Sequence, residues 1–139
     1  MKENAIKYLQ GLLYGKNECD RELLSYIIEC VKESKKDPNS IFCYYQKLIK
    51  IRKEEALVKD GIYRDILPKS RSIFAYERKG DKQLLLVISN FTPKEVKCNL
   101  LKKYPDYHWE ILLNNYPNVS DKLLPYQTIL YKLTKSLAK

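Results

Sequence analysis

The spacing of the apolar residues changes at Gly61, and this change determines the fold class that the chain can adopt. Before Gly61, apolar side chains recur every three to four residues, which is the spacing of an amphipathic helix. After Gly61 they alternate with polar residues or form short continuous runs, which is typical of β-strands. The chain is therefore predicted to be α+β, with N-terminal helices followed by an antiparallel β-sandwich.

About three helices are predicted before the change of spacing. The first covers residues 3–14, and the second begins after Asn17 or Asp20. Asp37 and Pro38 are expected to begin the third, because aspartate caps helix N-termini and proline fits the first helical position. The third helix is apolar on almost every side, which predicts that it packs against more than one neighbour.

Six to seven strands in Greek-key order are predicted for the rest of the chain, separated by turn signals. The run QLLLVISN at 83–90 is apolar almost throughout, so it is expected to be a central strand with both faces covered. Residues 95–100 alternate apolar and polar side chains, as a strand with one buried face does. The other predicted strands cover residues 61–67, 71–78, 108–113 and 128–134.

The net charge of +9 is concentrated in residues 61–139, which carry 14 Lys and Arg against 7 Asp and Glu. The basic residues are scattered singly along the predicted strands, which favours a solvated surface over a nucleic-acid site. A small basic module that binds single strands through its aromatic rings is the alternative hypothesis. Nucleic acid is not expected as a partner.

The number and spacing of the cysteine and histidine residues do not indicate a metal site. The chain has four cysteines without a C-x-x-C pair and a single histidine, so neither a metal nor a cofactor is expected. The N-terminal sequence MKEN does not lead into the apolar segment of a signal peptide. No run approaches the roughly 18 apolar residues of a membrane helix. These features predict a reduced, cytoplasmic protein without a membrane partner.

The sequence lacks the common patterns of a catalytic site. Its serines have no G-x-S-x-G context, and its glycines are too far apart for a phosphate-binding loop. The acidic residues in the strand-rich part stand singly among lysines or apolar residues, as solvated carboxylates do. No residue is therefore predicted to be catalytic.

A series of short motifs begins at Asp37. In order, they are Asp37-Pro38, Tyr44-Tyr45, Ile73-Phe74-Ala75-Tyr76, Leu85-Leu86-Val87-Ile88 with Asn90-Phe91, Glu110-Ile111-Leu112-Leu113, and Leu124-Pro125-Tyr126. In this order the chain resembles the C-terminal end of the α-amylase superfamily of glycoside hydrolases, family 13. Among its members it is most similar to the oligo-1,6-glucosidases, α-glucosidases and trehalose-6-phosphate hydrolases. Gln127-Thr128 departs from the Glu-Ala of that family, and residues 1–36 match no part of it.

The resemblance implies the last helix of a (β/α)8 barrel at 37–60 and the β-sandwich called domain C at 61–139, and the helices predicted at 1–36 form an extension that it does not cover. Such a barrel needs about 250 residues, far more than precede Asp37 in this sequence. The resemblance places the catalytic carboxylates on that barrel. It therefore implies a non-catalytic domain with a structural or accessory role in carbohydrate metabolism. The alternative is a fragment of a full-length α-glucosidase.

Phe42, Tyr45 and Ile49 on the third helix are predicted to form an interface, because the resemblance implies that in full-length relatives this helix lies between barrel and sandwich. Three occupants are considered for that interface here. They are a separately encoded catalytic barrel, a second copy in a homodimer, and the helices of residues 1–36 folded back onto it.

Tyr107, Trp109 and Tyr116 are the candidate residues for weak binding of an oligosaccharide by ring stacking. The alternative is that these rings lie at the rim of the core, where tyrosine keeps its hydroxyl in contact with water.

Overall fold

The computed structural model describes the backbone of residues 18–136 and the side chains of residues 22–136. The chain divides into two compact units, with the boundary between Gln46 and Lys47. The helix predicted at 3–14 lies outside the described residues. The three helices of the described part are α1 (Glu18–Lys36), α2 (Ile41–Glu54) and α3 (Leu57–Asp60).

The start of α2 differs from the prediction, which placed it at Asp37. The backbone N–H of Asn39 donates to the Asp37 carboxylate (2.8 Å), so Asp37 caps the turn before the helix. The backbone N–H of Cys43 donates to the Ser40 hydroxyl (3.1 Å), so Ser40 satisfies a free N–H of the first helical turn. The helix therefore begins at Ile41.

Within residues 18–136, seven strands follow the helices and form two sheets. The larger sheet is antiparallel and has the strand order β1-β2-β3-β7-β5, and the smaller one pairs β4 with β6. The prediction of an α+β chain with a β-sandwich is therefore confirmed. The strands are β1 (Ile62–Asp65), β2 (Ile73–Lys79), β3 (Gln83–Asn90), β4 (Val96–Lys97), β5 (Tyr107–Asn114), β6 (Lys122–Leu123) and β7 (Thr128–Lys135).

β3 lies in the middle of the larger sheet, as its apolar run predicts. Leu84, Leu86 and Ile88 point to the side that we call the inner face, where they pack with Leu123 of β6. Leu85 points to the opposite, outer face and is also buried. Both faces of β3 are therefore covered, which explains why polar residues do not alternate with apolar ones along most of it.

The strand predicted at 95–100 is shorter in the structure. Only Val96–Lys97 is a strand, and the chain then enters a 3₁₀ helix at Leu100–Lys103. Leu100 is nevertheless buried, and Val96 and Cys98 pack against the same core. The alternation of apolar residues thus correctly predicted which side chains pack against the core, although it did not predict the backbone conformation.

Two buried amides hold the connections between the strands. The Asn90 side chain donates to the carbonyl oxygens of Lys94 (2.7 Å) and Leu124 (2.9 Å), so it joins the turn after β3 to the segment before β7. The side chain of Gln127, the residue before β7, is also buried, and both its amide oxygen and its amide nitrogen are hydrogen-bonded. These bonds satisfy polar groups that would otherwise destabilise the core.

Candidate functional site

Four aromatic rings form a continuous row on the outer face of the larger sheet. Phe74 and Tyr76 alternate along β2 with buried residues, and Tyr63 lies beside Tyr76 on β1. The ring centroids are 6.1 Å apart for Phe91 and Phe74, 5.5 Å for Phe74 and Tyr76, and 5.4 Å for Tyr76 and Tyr63. We call Phe91, Phe74, Tyr76 and Tyr63 the aromatic row.

The aromatic row is largely open to solvent. Phe91 is 64%, Tyr63 52% and Phe74 40% exposed. Apolar residues scattered singly over a surface are common, but a contiguous apolar patch marks an interaction site. The aromatic row is therefore a candidate docking surface, and the sequence analysis did not single it out.

The apolar stripe of α2 is the second exposed feature. Ile41, Tyr45 and Ile49, spaced at i, i+4 and i+8, are 78%, 60% and 52% exposed, and no residue of α2 is buried. Phe42 is half-buried, with the Lys35 ammonium 5.9 Å from its ring centroid. Of the three predicted interface residues, Tyr45 and Ile49 thus lie on the exposed stripe. The hypothesis that residues 1–36 fold over this helix stays a prediction, because part of that segment lies outside the described residues.

The three candidates for sugar stacking do not form one cluster. Tyr107 and Trp109 lie two residues apart on β5. Each contacts another ring edge-on: the ring centroids are 6.0 Å apart for Tyr107 and Tyr104, and 5.8 Å for Trp109 and Tyr131. Tyr116 follows the end of β5, and its hydroxyl donates to the carbonyl oxygen of Pro125 (2.8 Å). Tyr116 is therefore part of a hydrogen-bonded turn, whereas Trp109 is 46% exposed.

Trp109 lines a cavity of about 300 Å³, which we call the Trp109 cleft. Its size is at the lower end of the range for small-molecule sites. The sequence analysis found Trp109 but missed the polar residues Asn99, Lys102 and Asp121 of the lining, because they lie in segments without periodic pattern. The lining residues are Ile88, Cys98, Asn99, Leu100, Leu101, Lys102, Trp109, Val119, Ser120, Asp121, Leu123 and Tyr131.

Glu77 is the only buried carboxylate among residues 22–136. One of its oxygens pairs with the Arg64 guanidinium (2.8 Å), and the other accepts a hydrogen bond from the Tyr104 hydroxyl (2.7 Å). Burial, and then the bond to Glu77, raises the pKa of Tyr104 well above its ordinary value of 10.0. The Tyr104 hydroxyl therefore stays protonated at neutral pH and remains a hydrogen-bond donor. Glu77, Arg64 and Tyr104 thus form a structural cluster.

Tyr131, beneath Trp109, is also held in its neutral form. Burial raises the pKa of Tyr131 to about 12, with a smaller contribution from Cys98. Within residues 18–136, no group of three or more His, Cys, Asp or Glu could hold a metal ion. No helix in that part of the chain is long and apolar enough to cross a membrane.

Comparison with known proteins identifies the strand-rich part. Residues 73–130 match the family described as "Alpha-amylase SusG C-terminal domain". The chain is 41% identical to trehalose-6-phosphate hydrolase of Bacillus subtilis over 108 residues, which cover 72% of this chain and 19% of that protein. It is 40% identical to oligo-1,6-glucosidase of Halalkalibacterium halodurans over 111 residues, covering 73% of this chain and 19% of the relative.

Solved structures of similar proteins also match this chain over about a fifth of their own length. The trehalose-6-phosphate hydrolase of Bacillus licheniformis superposes with a TM-score of 0.68 at 34% identity, over 75% of this chain and 20% of that one. The isomaltulose synthase of Klebsiella sp. LX3 superposes with a TM-score of 0.65 at 25% identity, over 73% and 19% of the two chains.

The chain thus spans about a fifth of the length of the curated relatives that it matches. The matched region is the C-terminal part of those proteins, in agreement with the order of motifs that begins at Asp37. The strand-rich part of this chain thus matches the C-terminal region of the α-amylase-type glycoside hydrolases of family 13, such as oligo-1,6-glucosidase and trehalose-6-phosphate hydrolase.

Proposed function

We propose that this chain is a non-catalytic accessory domain that supports the catalytic module of an α-amylase-type glycoside hydrolase and hydrolyses no glycoside by itself. Retaining glycosidases need two carboxyl groups about 5–5.5 Å apart, one as nucleophile and one as acid. The buried carboxylate of Glu77 is instead paired with Arg64 and Tyr104. This pairing favours a structural role for Glu77.

The aromatic row is the observation that carries the proposal. An accessory domain needs an apolar surface that its catalytic module covers, and Phe91, Phe74 and Tyr63 provide one. The occupant we propose is the catalytic module of the same family, because about four fifths of each relative lies outside the matched region. Tyr45 and Ile49 on α2 are proposed as further contacts with that module.

The same surface would serve two arrangements of the catalytic module. In one arrangement the module is a separately encoded protein, and in the other it belongs to the same, longer polypeptide. A homodimer that buries the aromatic row is the competing occupant, and sedimentation of the purified chain would detect it.

We also propose the cytoplasm as the compartment in which the chain works. The support is that Cys30, Cys43 and Cys98 are all free thiols. Free thiols persist in reducing compartments, whereas secreted proteins commonly pair them.

A chimera tests the proposed docking surface. Residues 37–139 replace the corresponding C-terminal fifth of the Bacillus subtilis trehalose-6-phosphate hydrolase, and the chimera should remain folded and hydrolyse trehalose 6-phosphate. Replacing Phe74 and Phe91 with aspartate in the chimera should destabilise it by about 2–5 kcal/mol, because two charges would be buried without partners. Thermal unfolding and hydrolysis rate are the measurements.

Ile62→Asp is the matched control. Ile62 is 75% exposed and lies on the edge strand β1 outside the aromatic row, so its replacement should leave the chimera unchanged. If the chimera with both aspartates has the melting temperature and hydrolysis rate of the unsubstituted chimera, the aromatic row is not the interface.

A further inference from the structure

The Trp109 cleft combines an apolar wall with a fixed aromatic ring. Trp109 lies edge-to-face with Tyr131, which is buried, so the orientation of the indole is set from below. Leu100 and Leu123, both buried, add aliphatic wall. Nearly half of Trp109 nevertheless stays accessible to solvent, so the indole is open to a ligand.

The rim of the cleft carries polar groups that the fold does not use. Asn99, Lys102 and Asp121 line the cleft, and within the described part of the chain their side chains have no hydrogen-bond or ion-pair partner. By contrast, the Ser120 hydroxyl is occupied, since it donates to the Lys122 carbonyl oxygen (2.8 Å) and accepts from its N–H (3.2 Å). An amide, an ammonium and a carboxylate are therefore free to contact a ligand.

The two loops that form the rim are tied together. The backbone N–H of Cys98 donates to the Asp121 carbonyl oxygen (2.9 Å), which joins the loop after β4 to the loop before β6. This bond places Asn99 and Asp121 near each other without a ligand. A preformed site loses less conformational entropy when a ligand binds.

We propose that the Trp109 cleft binds a pyranose unit of a neutral oligosaccharide. A pyranose ring presents an apolar C–H face that matches the indole, and hydroxyls that both donate and accept hydrogen bonds. Those hydroxyls match the carboxylate of Asp121, the ammonium of Lys102 and the amide of Asn99. The charges of Lys102 and Asp121 cancel, which favours a neutral sugar over a phosphorylated one.

This inference is independent of the proposed accessory role. None of the residues lining the cleft belongs to the aromatic row, so a domain without sugar affinity could still support a catalytic module. Conversely, the purified chain would bind sugar whether or not it contacts such a module.

Fluorescence of the full chain tests the proposal, because Trp109 is its only tryptophan. Isomaltose and maltotriose are titrated, and a saturable change in the emission of Trp109 is expected. Asp121→Ala should weaken binding about tenfold, since it removes a charge-assisted hydrogen bond. Asp106→Ala, an exposed aspartate that does not line the cleft, should leave the affinity unchanged.

Sorbitol is the control ligand, because it has the hydroxyls of a sugar without the ring. Equal responses to sorbitol and isomaltose, or a linear response that never saturates, would overturn the proposal. Chemical-shift mapping of the unmodified chain gives a result that needs no variant. Shifts confined to Asn99, Lys102, Trp109 and Asp121 would support the site, and shifts elsewhere or none would reject it.

Discussion

At the scale of the residue, buried side chains of Gln127 and Asn90 join segments that share no strand. Gln127 receives the backbone N–H of Leu124 on its amide oxygen (2.9 Å). Its amide nitrogen donates to the Asn114 side-chain oxygen and to the Asn118 carbonyl oxygen, both at 3.1 Å. The sequence analysis noted Gln127 as a departure from its family but could not give a reason. The reason is that an amide donates and accepts, and this position needs both.

Gln127→Glu should therefore destabilise the fold by about 3 kcal/mol at neutral pH, because a buried carboxylate would face the Asn118 carbonyl oxygen without a hydrogen to donate. Burial raises the pKa of the introduced carboxyl, so the folded state of the variant binds its proton more tightly than the unfolded state. The penalty should therefore grow as the pH rises above the ordinary carboxyl pKa and shrink on acidification. Denaturant unfolding at neutral and acidic pH measures it.

Gln83→Glu is the matched control for that change. Gln83 is half-buried, and its amide donates one bond of 3.3 Å to the Thr134 hydroxyl, which can itself donate to a carboxylate. Gln83→Glu should therefore destabilise the fold much less than Gln127→Glu does. Equal stability of the Gln127→Glu variant and the unmodified chain at neutral pH would contradict the role given to the amide.

At the scale of the element, apolar spacing predicted burial better than it predicted backbone conformation. The run at 83–90 could only be a covered central strand, and β3 is one. Val96, Cys98 and Leu100 keep their apolar contacts while the chain leaves the strand, so spacing alone misassigned their conformation. β6 has two residues and therefore no period to detect. The start of α2 was misplaced because both Asp37 and Ser40 are good caps, and only hydrogen-bond geometry distinguishes them.

The junction between α3 and β1 depends on Gly61. A Cβ at Gly61 would lie 2.6 Å from the Leu57 carbonyl oxygen and 3.0 Å from Cβ of Arg78. The same carbonyl oxygen accepts a hydrogen bond from Nε of Arg78 (3.0 Å), so it cannot move freely. Gly61→Ala should cost about 1–3 kcal/mol, the usual penalty of overpacking, measured by thermal unfolding.

Gly80→Ala provides the comparison at the turn between β2 and β3. A Cβ at Gly80 would meet Cδ2 of Leu57 at 2.7 Å, which is the end of a flexible side chain. Gly80→Ala should therefore destabilise the chain clearly less than Gly61→Ala does. The reverse order of melting temperatures would contradict the close approach of backbone at Gly61.

At the scale of the whole molecule, the change of spacing at Gly61 was enough to predict the α+β class, and the order of motifs was enough to predict the family. The candidate sites were predictable only in part. Trp109 stood out as the single tryptophan, but Asn99 and Asp121 meet only through the folding of two loops. The aromatic row was hidden because Tyr63, Phe74 and Phe91 come from three separate segments, which the sheet and its turns bring together.

The central claim is that this chain works without catalytic groups of its own, and an aryl-glucoside assay tests it most directly. The purified chain is incubated with p-nitrophenyl α-glucoside beside the intact Bacillus subtilis trehalose-6-phosphate hydrolase. The chain should release no nitrophenol above the buffer blank. Release that co-purifies with the chain and disappears in Glu77→Gln would contradict the claim, because it would make the buried carboxylate of Glu77 a catalytic group.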